Sequence, residues 1–442
     1  MGRQAFVLLL ALGAVAARLP AQAPAPLRLS FAEAVRRAAG TAPVVELAGL
    51  RMSEADARVR QARGAFLPSL ALSGAWVNRD FNTDALGIPF PPQFSLPNPV
   101  PGFNNYDARV TATQTLFDLS SVARVRAARA QATGTGAERS VVIEGSAQVA
   151  ALAYLRAARA TASAGARRAD SSIAAELVRL AEAQKAAGVS AAIDVTRART
   201  QLVVAEGLLI VAQSESDRAR IDLARALGID PATRIELSDT LASSLGAADV
   251  PAERDVALAQ AAATRPDLLA EAARGIAARR TSSAIAAERL PRISLEGDYG
   301  VNGLTVPAAI STRQVALQVS VPILDGLRRE GRLAEQDAIA RESAVRERDL
   351  RQQVAAEVDA ALLDLRSASA QQRIAAERLQ LAEDELAQSR ERFAAGVAGN
   401  IEVINAQASL IQARDADIDA RFGAAVARVA LARAVGVART LH

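Results

Sequence analysis

Two carboxylates, Asp194 and Glu402, lie at equivalent positions of a motif that occurs twice in the chain. The motif is Ala-Gly-Val, three variable residues, then Ile, an acidic residue and Val, and its copies span 187–195 and 395–403. A glycine after a long helical stretch indicates a left-handed turn that ends the helix. An acidic side chain in the first turn of the next helix interacts favourably with the helix dipole. This chemistry is electrostatic and not catalytic.

Composition excludes most catalytic and metal-binding chemistry. The chain has no cysteine, and its one histidine is His442, which removes thiol nucleophiles, disulfides, Cys/His metal sites and a histidine base. The other carboxylates alternate with arginines along helical stretches, a pattern typical of solvated helix faces. Gly134-Thr135-Gly136 lacks the third glycine and the preceding strand of a nucleotide-binding loop. We therefore predict no catalytic residue, no cofactor and no metal site.

The chain is rich in apolar residues but poor in aromatic ones. Hydrophobic residues make up 50% of the 442 residues, but aromatic residues only 3%. Much of the apolar content is alanine, which favours long helices packed closely through small side chains. The net charge is +4, and Lys185 is the only lysine. Because the arginines alternate with acids and form no one-sided patch, we expect no nucleic-acid partner.

A duplication extends over the whole chain. Pro43 and Pro68 have counterparts 223 residues later in Pro266 and Pro291. Leu116-Phe117-Asp118 and Ile323-Leu324-Asp325 are 207 residues apart, and Gly188 and Gly396 are 208 apart. A long-period repeat with nearly constant offsets predicts one structural unit used twice, with changes only in loop length.

The N-terminus has the pattern of an export signal. Arg3 precedes an apolar run from Ala5 to Ala17, followed by small residues. The run is too short for a membrane span, and we predict a signal peptide over residues 1–23. No later stretch of about 20 uncharged apolar residues occurs, so the sequence predicts no transmembrane helix.

Each repeat begins with helix signals and then changes to strand signals. Ser30-Phe31-Ala32-Glu33 forms a capping box, and the helix after it should run to about Phe66 with a break near Pro43. Apolar and polar residues then alternate on both sides of a loop, over residues 69–76 and 107–113, and again over 292–301 and 314–321. Such segments are typical of transmembrane β-barrels, and also of half-buried hairpins. Residues 78–105 and 302–312 are predicted as loops.

Two proline-free segments, 120–186 and 327–394, predict helices about 100 Å long. Each is followed by the Gly-Val turn and a helix of about 35 residues. The last helix has a heptad pattern of apolar residues, which predicts supercoiling against a neighbour. The pattern consists of Ile404, Ala408, Ile411, Ile418, Phe422, Ala425 and Val429, with Asp415 interrupting it. A free-standing coiled coil would explain the helices but not the strands.

Four amphipathic strands in one chain cannot close a barrel, and open edges are not tolerated in lipid. Two chains would supply eight strands and a filled interior, whereas three would supply twelve and an open lumen. The polar faces carry Ser, Thr, Arg, Asp, Glu and Gln, which suit water. We therefore predict a mostly α protein with a transmembrane β part. In it, four strands per chain contribute to a trimeric 12-stranded β-barrel, continued by a long α-helical barrel.

The sequence resembles the TolC-like outer membrane efflux proteins over residues 28–438. The resemblance rests on Leu29-Ser30-Phe31-Ala32-Glu33-Ala34, Arg265-Pro266-Asp267-Leu268, the Leu-Pro before each first strand, the Leu-Phe-Asp or Leu-Asp-Gly after each second strand, and the two Gly-Val turns. It implies a homotrimer embedded in outer-membrane lipid, with helices that extend into the periplasm. It also implies two partners, a periplasmic adaptor (membrane fusion) protein and an inner-membrane transporter.

The resemblance also assigns roles to residues. It implies that Gly188, Val189, Gly396 and Val397 are tips that contact the adaptor. It implies an acidic ring, Asp194 and Glu402, around the periplasmic gate. The family's second acidic position is Asn405 here, and Ala398 lies where a basic partner is often found.

We predict repeats over residues 28–228 and 252–438, joined by a linker or equatorial segment, 229–251. The expected function is the outer-membrane exit duct of a tripartite efflux or type I secretion system, not an enzyme. The alternative is a soluble periplasmic coiled-coil structural or adaptor protein.

Overall fold

A computed structural model describes residues 26–86, 97–243, 245–247, 250–251, 253–397 and 399–442. The predicted signal peptide, residues 1–23, and Ala398 lie outside the described residues. Two helices, two long strands and two long helices follow one another in the first half of the chain, and the same order recurs in the second half. The exact repeat boundaries, 28–228 and 252–438, stay a prediction.

The first half begins with a short strand and contains two helices that meet at a proline. In chain order its elements are β1 (Leu27–Leu29), α1 (Phe31–Thr41), α2 (Pro43–Gly64), β2 (Ser69–Phe81), β3 (Val100–Asp118), α3 (Leu119–Ala186) and α4 (Ala192–Ala226). The Ser30 side chain accepts a hydrogen bond of 3.2 Å from the Glu33 amide at the start of α1. Pro43 opens α2, and the extended conformation of Ala42 separates the two helices.

The second half repeats this order after a short connecting strand. Its elements are β4 (Ile235–Leu237), α5 (Arg254–Thr264), α6 (Pro266–Ala287), β5 (Arg292–Gly303), β6 (Ile310–Ser320), α7 (Arg328–Ala394) and α8 (Asn400–Val435). Pro266 opens α6 as Pro43 opens α2. The break predicted near Pro43 is therefore confirmed.

The four long strands form one antiparallel sheet in the order β2-β3-β5-β6. Within the described chain, β2 and β6 each have a neighbour on one side only. The strands extend further than predicted, because β2 continues to Phe81 and β3 begins at Val100, inside the predicted loop. Asn78 pairs with Asn104 there, and side-chain hydrogen bonds from Trp76 and Asn78 to Asn104 extend the hairpin.

The two faces of the sheet differ in polarity. The paired residues Leu295 and Leu317 belong to a face whose other large members include Leu72, Val110 and Val315. All five of these side chains are exposed in the single chain. The opposite face is polar, and there Arg109 forms ion pairs with Asp107 on its own strand and, at 3.0 Å, with Asp298 on β5. This alternation is the predicted two-faced pattern.

The helices α3 and α7 contain 68 and 67 residues, so each is about 100 Å long. α3 packs along α4 on one side and along α8 on the other, and α8 also packs along α7. The four helices thus form a layer in the order α4-α3-α8-α7. Alanine is the commonest buried residue type of α3, and its small side chain allows close helix packing, as the composition indicates. Among the described residues, no helix combines the length and the apolar character needed to cross a bilayer.

The predicted heptad pattern of α8 is wrong in register over most of its length. The buried line contains Val403, Leu410, Asp417 and Ala424, each one residue before a member of the expected line. Ile404, Ile411 and Ile418 are only half-buried, and Ala408 is exposed. Val403 and Leu410 of this line pack in one core cluster with residues of α3, α4 and α7, whereas the bulkier isoleucines lie beside it.

The equatorial core contains an element that the sequence analysis missed. β1 pairs in parallel with β4, so the start of the chain is joined to the connection between the two halves. The Tyr154 ring packs edge-on against Phe31, and its hydroxyl donates a 3.0 Å hydrogen bond to the Leu29 carbonyl. Burial raises the pKa of Tyr154. Ile235 and Leu245, in the described part of residues 229–251, therefore belong to a packed core.

Two glycines in left-handed conformation close this core, one in each half. Gly228, just after α4, has φ +66°, and a Cβ there would lie 2.6 Å from Cδ of Pro43. Gly436, after α8, has φ +83°, and a Cβ there would lie 2.9 Å from Cα of Arg265. Since 436 is 208 residues after 228, the same close approach is built twice.

Candidate functional site at the helical tips

Both tip turns are helix ends stabilised by a left-handed glycine. Gly188 and Gly396 have φ of +78° and +72°. Val189 donates its amide proton to the carbonyl of Gln184 at 3.1 Å, and Val397 donates to that of Arg392 at 3.0 Å. These six-to-one bonds, together with the glycine amide bonds, define a Schellman motif at each tip. The predicted helix-ending role of the two glycines is confirmed.

The valines at the tips lack the contact that usually accompanies this motif. In a Schellman turn the residue after the glycine normally packs back on the last helical turn. Here Val189 is 75% exposed and Val397 is 72% exposed. Ile193 and Ile401, in the first turns of α4 and α8, are also about half exposed. The two tips therefore present an apolar surface that nothing in the described chain covers.

Asp194 lies in the first turn of α4, as predicted. Its carboxylate accepts a 2.9 Å hydrogen bond from the Ser190 hydroxyl and lies 3.7 Å from a guanidinium nitrogen of Arg197. The side chain is only 19% exposed. Local partners on the same hairpin therefore hold this carboxylate.

Glu402 lies in the first turn of α8, and its carboxylate is 3.4 Å from Nε of Arg392 near the end of α7. Its side chain is 39% exposed, and Asn405, one turn later, is also exposed. The structure thus pairs Asp194 and Glu402 with different arginines. It brings their helix starts together through other residues.

Two amide side chains, which the sequence analysis missed, join the two hairpins. Gln184 donates a 2.9 Å hydrogen bond to the Phe393 carbonyl, and Asn400 donates one of 2.9 Å to the Asp194 carbonyl. We call these two bonds the tip clasp. Asn400 is 1% exposed. A position-by-position comparison of the repeats would have indicated both residues, because Gln184 corresponds to Arg392 and Asn400 to Ala192.

Further along the helices, a buried ionic cluster joins α3 to α8. The Asp170 carboxylate is 3% exposed and accepts hydrogen bonds of 2.8 Å from Arg414 and 3.0 Å from Arg167. Arg167 also binds Asp415, the residue that interrupts the predicted heptad pattern. Burial raises the pKa of Asp170, although both arginines oppose the shift. The cluster holds the hairpins together above the tip clasp.

Comparison with known proteins identifies the chain. A family model described as outer membrane efflux protein matches residues 34–229 and 257–437. The chain belongs to the outer membrane efflux protein family. Protein CyaE of Bordetella pertussis is 28% identical over 395 residues, which cover 87% of this chain and 79% of CyaE.

Solved structures share the fold over most of its length. VceC of Vibrio cholerae has a TM-score of 0.70 at 20% identity, covering 92% of this chain and 96% of VceC. The CmeC outer membrane channel of Campylobacter jejuni has a TM-score of 0.76 at 15% identity, covering 92% of this chain and 86% of CmeC. At these identities the likeness establishes the fold, and it confirms the predicted mostly helical, channel-type architecture.

Family membership confirms the resemblance found in the sequence, the predicted function as an exit duct and the predicted location in the outer membrane. The chain is an outer-membrane efflux protein, an exit duct with helices that extend into the periplasm. Membership implies a channel and not an enzyme, and a trimer that works with an adaptor and an inner-membrane pump. The alternative, a soluble coiled-coil protein, is therefore rejected.

Proposed function

We propose that three copies of this chain close into one duct, with twelve strands in outer-membrane lipid and a layer of long helices around a periplasmic tunnel. The observation that carries the proposal is the pair of open sheet edges, β2 and β6. Unpaired backbone groups cost several kcal/mol each in hydrocarbon. Edge pairing between neighbouring copies removes this cost. Residues 28–228 and 252–438 are then two copies of one unit, joined by residues 229–251.

The helical layer supports the same closure. Its outer helices, α4 and α7, carry exposed aliphatic residues at heptad spacing. On α4 these include Val203 and Ile210, both 68% exposed, and on α7 they include Ile374 and Leu381. Such a stripe on a helix flank normally packs against another helix. Contact between α4 of one copy and α7 of the next would cover both stripes.

The exposed tips are the surface proposed for the adaptor. Gly188 and Gly396 end the long helices, and the side chains of Val189 and Val397 beyond them are largely exposed. Small apolar side chains on a rigid turn suit docking against another helical hairpin. The transported solute would enter the tunnel at this end.

Asp194, Glu402 and Asn405 are the residues proposed for the periplasmic gate. Three copies of each would form rings near the axis, where carboxylates attract cations and repel anions. Arg392 lies beside Glu402 and partly compensates its charge. Asn405 adds no charge to the ring.

The β6 strand offers a sharp test of the membrane-facing surface. Leu317→Arg puts a cation on the apolar face, where it costs about 2–4 kcal/mol near the bilayer midplane. Gln318→Arg, one residue later, puts the same cation on the polar face. We expect the first variant to reduce heat-stable trimer in the outer-membrane fraction strongly and the second to leave it nearly unchanged. Equal trimer yields, or the reverse order, would contradict the assigned faces.

The tips are tested by Val189→Glu combined with Val397→Glu. Because both side chains are exposed, we expect a stability change within about 0.5 kcal/mol and normal trimer assembly. Transport and chemical crosslinking to the adaptor should be lost. Val256→Glu, at an exposed valine of α5, is the matched control and should retain both. Undiminished crosslinking in the double variant would reject the docking surface.

The gate is tested in planar bilayers. Glu402→Ala should lower cation selectivity and raise the half-blocking concentration of a trivalent cation at least about tenfold, because a carboxylate at ~6 Å contributes roughly 2 kcal/mol in water before screening. Asn405→Asp should strengthen the block. Glu46→Ala removes an exposed carboxylate of α2 and serves as the control. If selectivity and block are unchanged in both gate variants, their side chains face away from the lumen.

A further inference from the structure

A cleft of about 910 Å³ lies where the sheet meets the helices. The end of α6, the periplasmic ends of β5 and β6, and the starts of α3 and α7 all contribute to its lining. Arg292 and Ser320 are directly paired across β5 and β6, and Asp118 pairs with Arg292 across β3 and β5. All three belong to the polar face of the sheet. The cleft therefore lies on the polar side of the sheet, at its junction with the helices.

The cleft is rich in charge. Five arginines line it, namely Arg124, Arg292, Arg328, Arg329 and Arg332. Four carboxylates line it as well, from Asp118, Glu288, Asp325 and Glu335. Two of the arginines are paired within the cleft, since Arg124 binds Asp118 at 3.0 Å and Arg332 binds Glu288.

The other three arginines have spare hydrogen-bond donors. In the described part of the chain, no carboxylate lies within 4.0 Å of the Arg292 or Arg328 guanidinium, and Arg328 donates from Nε alone, to the Asp325 carbonyl at 3.1 Å. The Arg329 side chain is only 6% exposed, and its sole ionic contact is with Asp325 at 3.7 Å. Its buried Nε has no hydrogen-bond partner among the described residues. A buried, incompletely paired guanidinium is costly, and an anion in the cleft would offset this cost.

The first repeat provides an internal comparison. With the offset of 207 residues, Asp118 corresponds to Asp325, and Ser121 and Val122 correspond to Arg328 and Arg329. Asp118 is fully engaged, because it accepts hydrogen bonds from Ser120, Ser121 and Arg124. In the second repeat, two arginines replace the serine and the valine. The surplus of cations is therefore specific to the second repeat and not a general feature of this junction.

The backbone presents these arginines at the start of a long helix. Gly326 and Leu327 both have left-handed φ, +70° and +63°, and Leu327 cannot cap α7, so the Asp325 carboxylate accepts the Arg329 amide proton at 3.1 Å. A non-glycine residue in this region is strained. The strained turn puts Arg328 and Arg329 in the first turn of a 67-residue helix, where the dipole also favours an anion.

We propose that this cleft binds compact oxyanion groups, a carboxylate or a phosphate, of solutes that pass from the helical tunnel into the barrel. The guanidinium fork matches both groups with two parallel hydrogen bonds. The inference rests on the proposed duct, because the cleft is lumenal only when three copies close the sheet. A lipid headgroup carries the same phosphate chemistry, so the test must separate the two sources.

The test uses the purified trimer and inorganic pyrophosphate as the probe. Current block is recorded in planar bilayers of neutral phosphatidylcholine, and binding is measured by equilibrium dialysis. Removing both exposed cations with Arg292→Gln and Arg328→Gln should raise the half-blocking and half-saturating concentrations by about tenfold or more, the loss typical of charge-assisted hydrogen bonds. The single variants should have intermediate effects. Arg348→Gln, an exposed arginine of the same helix outside the cleft, is the matched control.

Each outcome is decisive. A shift in the double variant but not in Arg348→Gln supports the cleft. Equal block and binding in all variants would overturn the proposed anion site. If the trimers still conduct ions in that case, the proposed duct itself is not contradicted. Loss of the block when anionic phospholipid replaces part of the phosphatidylcholine would assign the arginines to a lipid headgroup and overturn the lumenal site. Size-exclusion chromatography checks that each variant is a trimer, and Arg292→Gln, at an exposed residue, provides a fallback if the double variant does not assemble.

Discussion

The architecture depends on an unsatisfied hydrogen-bonding requirement. One chain builds a sheet of four strands whose first and last members, β2 and β6, each have one unpaired side. In hydrocarbon such an edge is unstable, and a closed barrel is the arrangement that removes it. The exposed face that contains Leu72 and Leu317 is apolar, so it favours contact with lipid over contact with water. The fold of one copy is therefore complete only in its assembly.

The helical part also has uncovered edges, but there the uncovered groups are side chains and not backbone groups. The helices α4-α3-α8-α7 form an open layer, held together by small residues, the Asp170 cluster and the tip clasp of Gln184 and Asn400. The flanks of this layer remain uncovered, as the sheet edges do. α3 continues directly from β3 and α7 follows β6 after residues 321–327, so a single ring of copies would close both parts at once. Because of the duplication, each half of the chain contributes one hairpin of strands and one hairpin of helices to the same ring.

Much of this could be predicted from the sequence, because the signals were periodic. Alternation at 69–76 and 314–321 identified strands, and Pro43 and Gly188 identified helix ends, since each residue type restricts the backbone directly. The register of α8 was not predictable, because its buried line includes Asp417 and Ala424, whose burial depends on how closely the neighbouring helices approach. The tip clasp and the arginine cleft were missed for a related reason. Gln184, Asn400 and Arg329 are ordinary polar residues until the fold brings distant segments beside them.

The most direct test of the central claim is the mass of the protein after extraction from the outer membrane in mild detergent, measured by native mass spectrometry. Closure of the sheet by edge pairing predicts particles with three copies of the chain and no stable monomer. With four strands from each chain, three copies form a twelve-stranded barrel with an open lumen. A stable monomer, or recovery of the protein wholly in the soluble periplasmic fraction, would contradict the account.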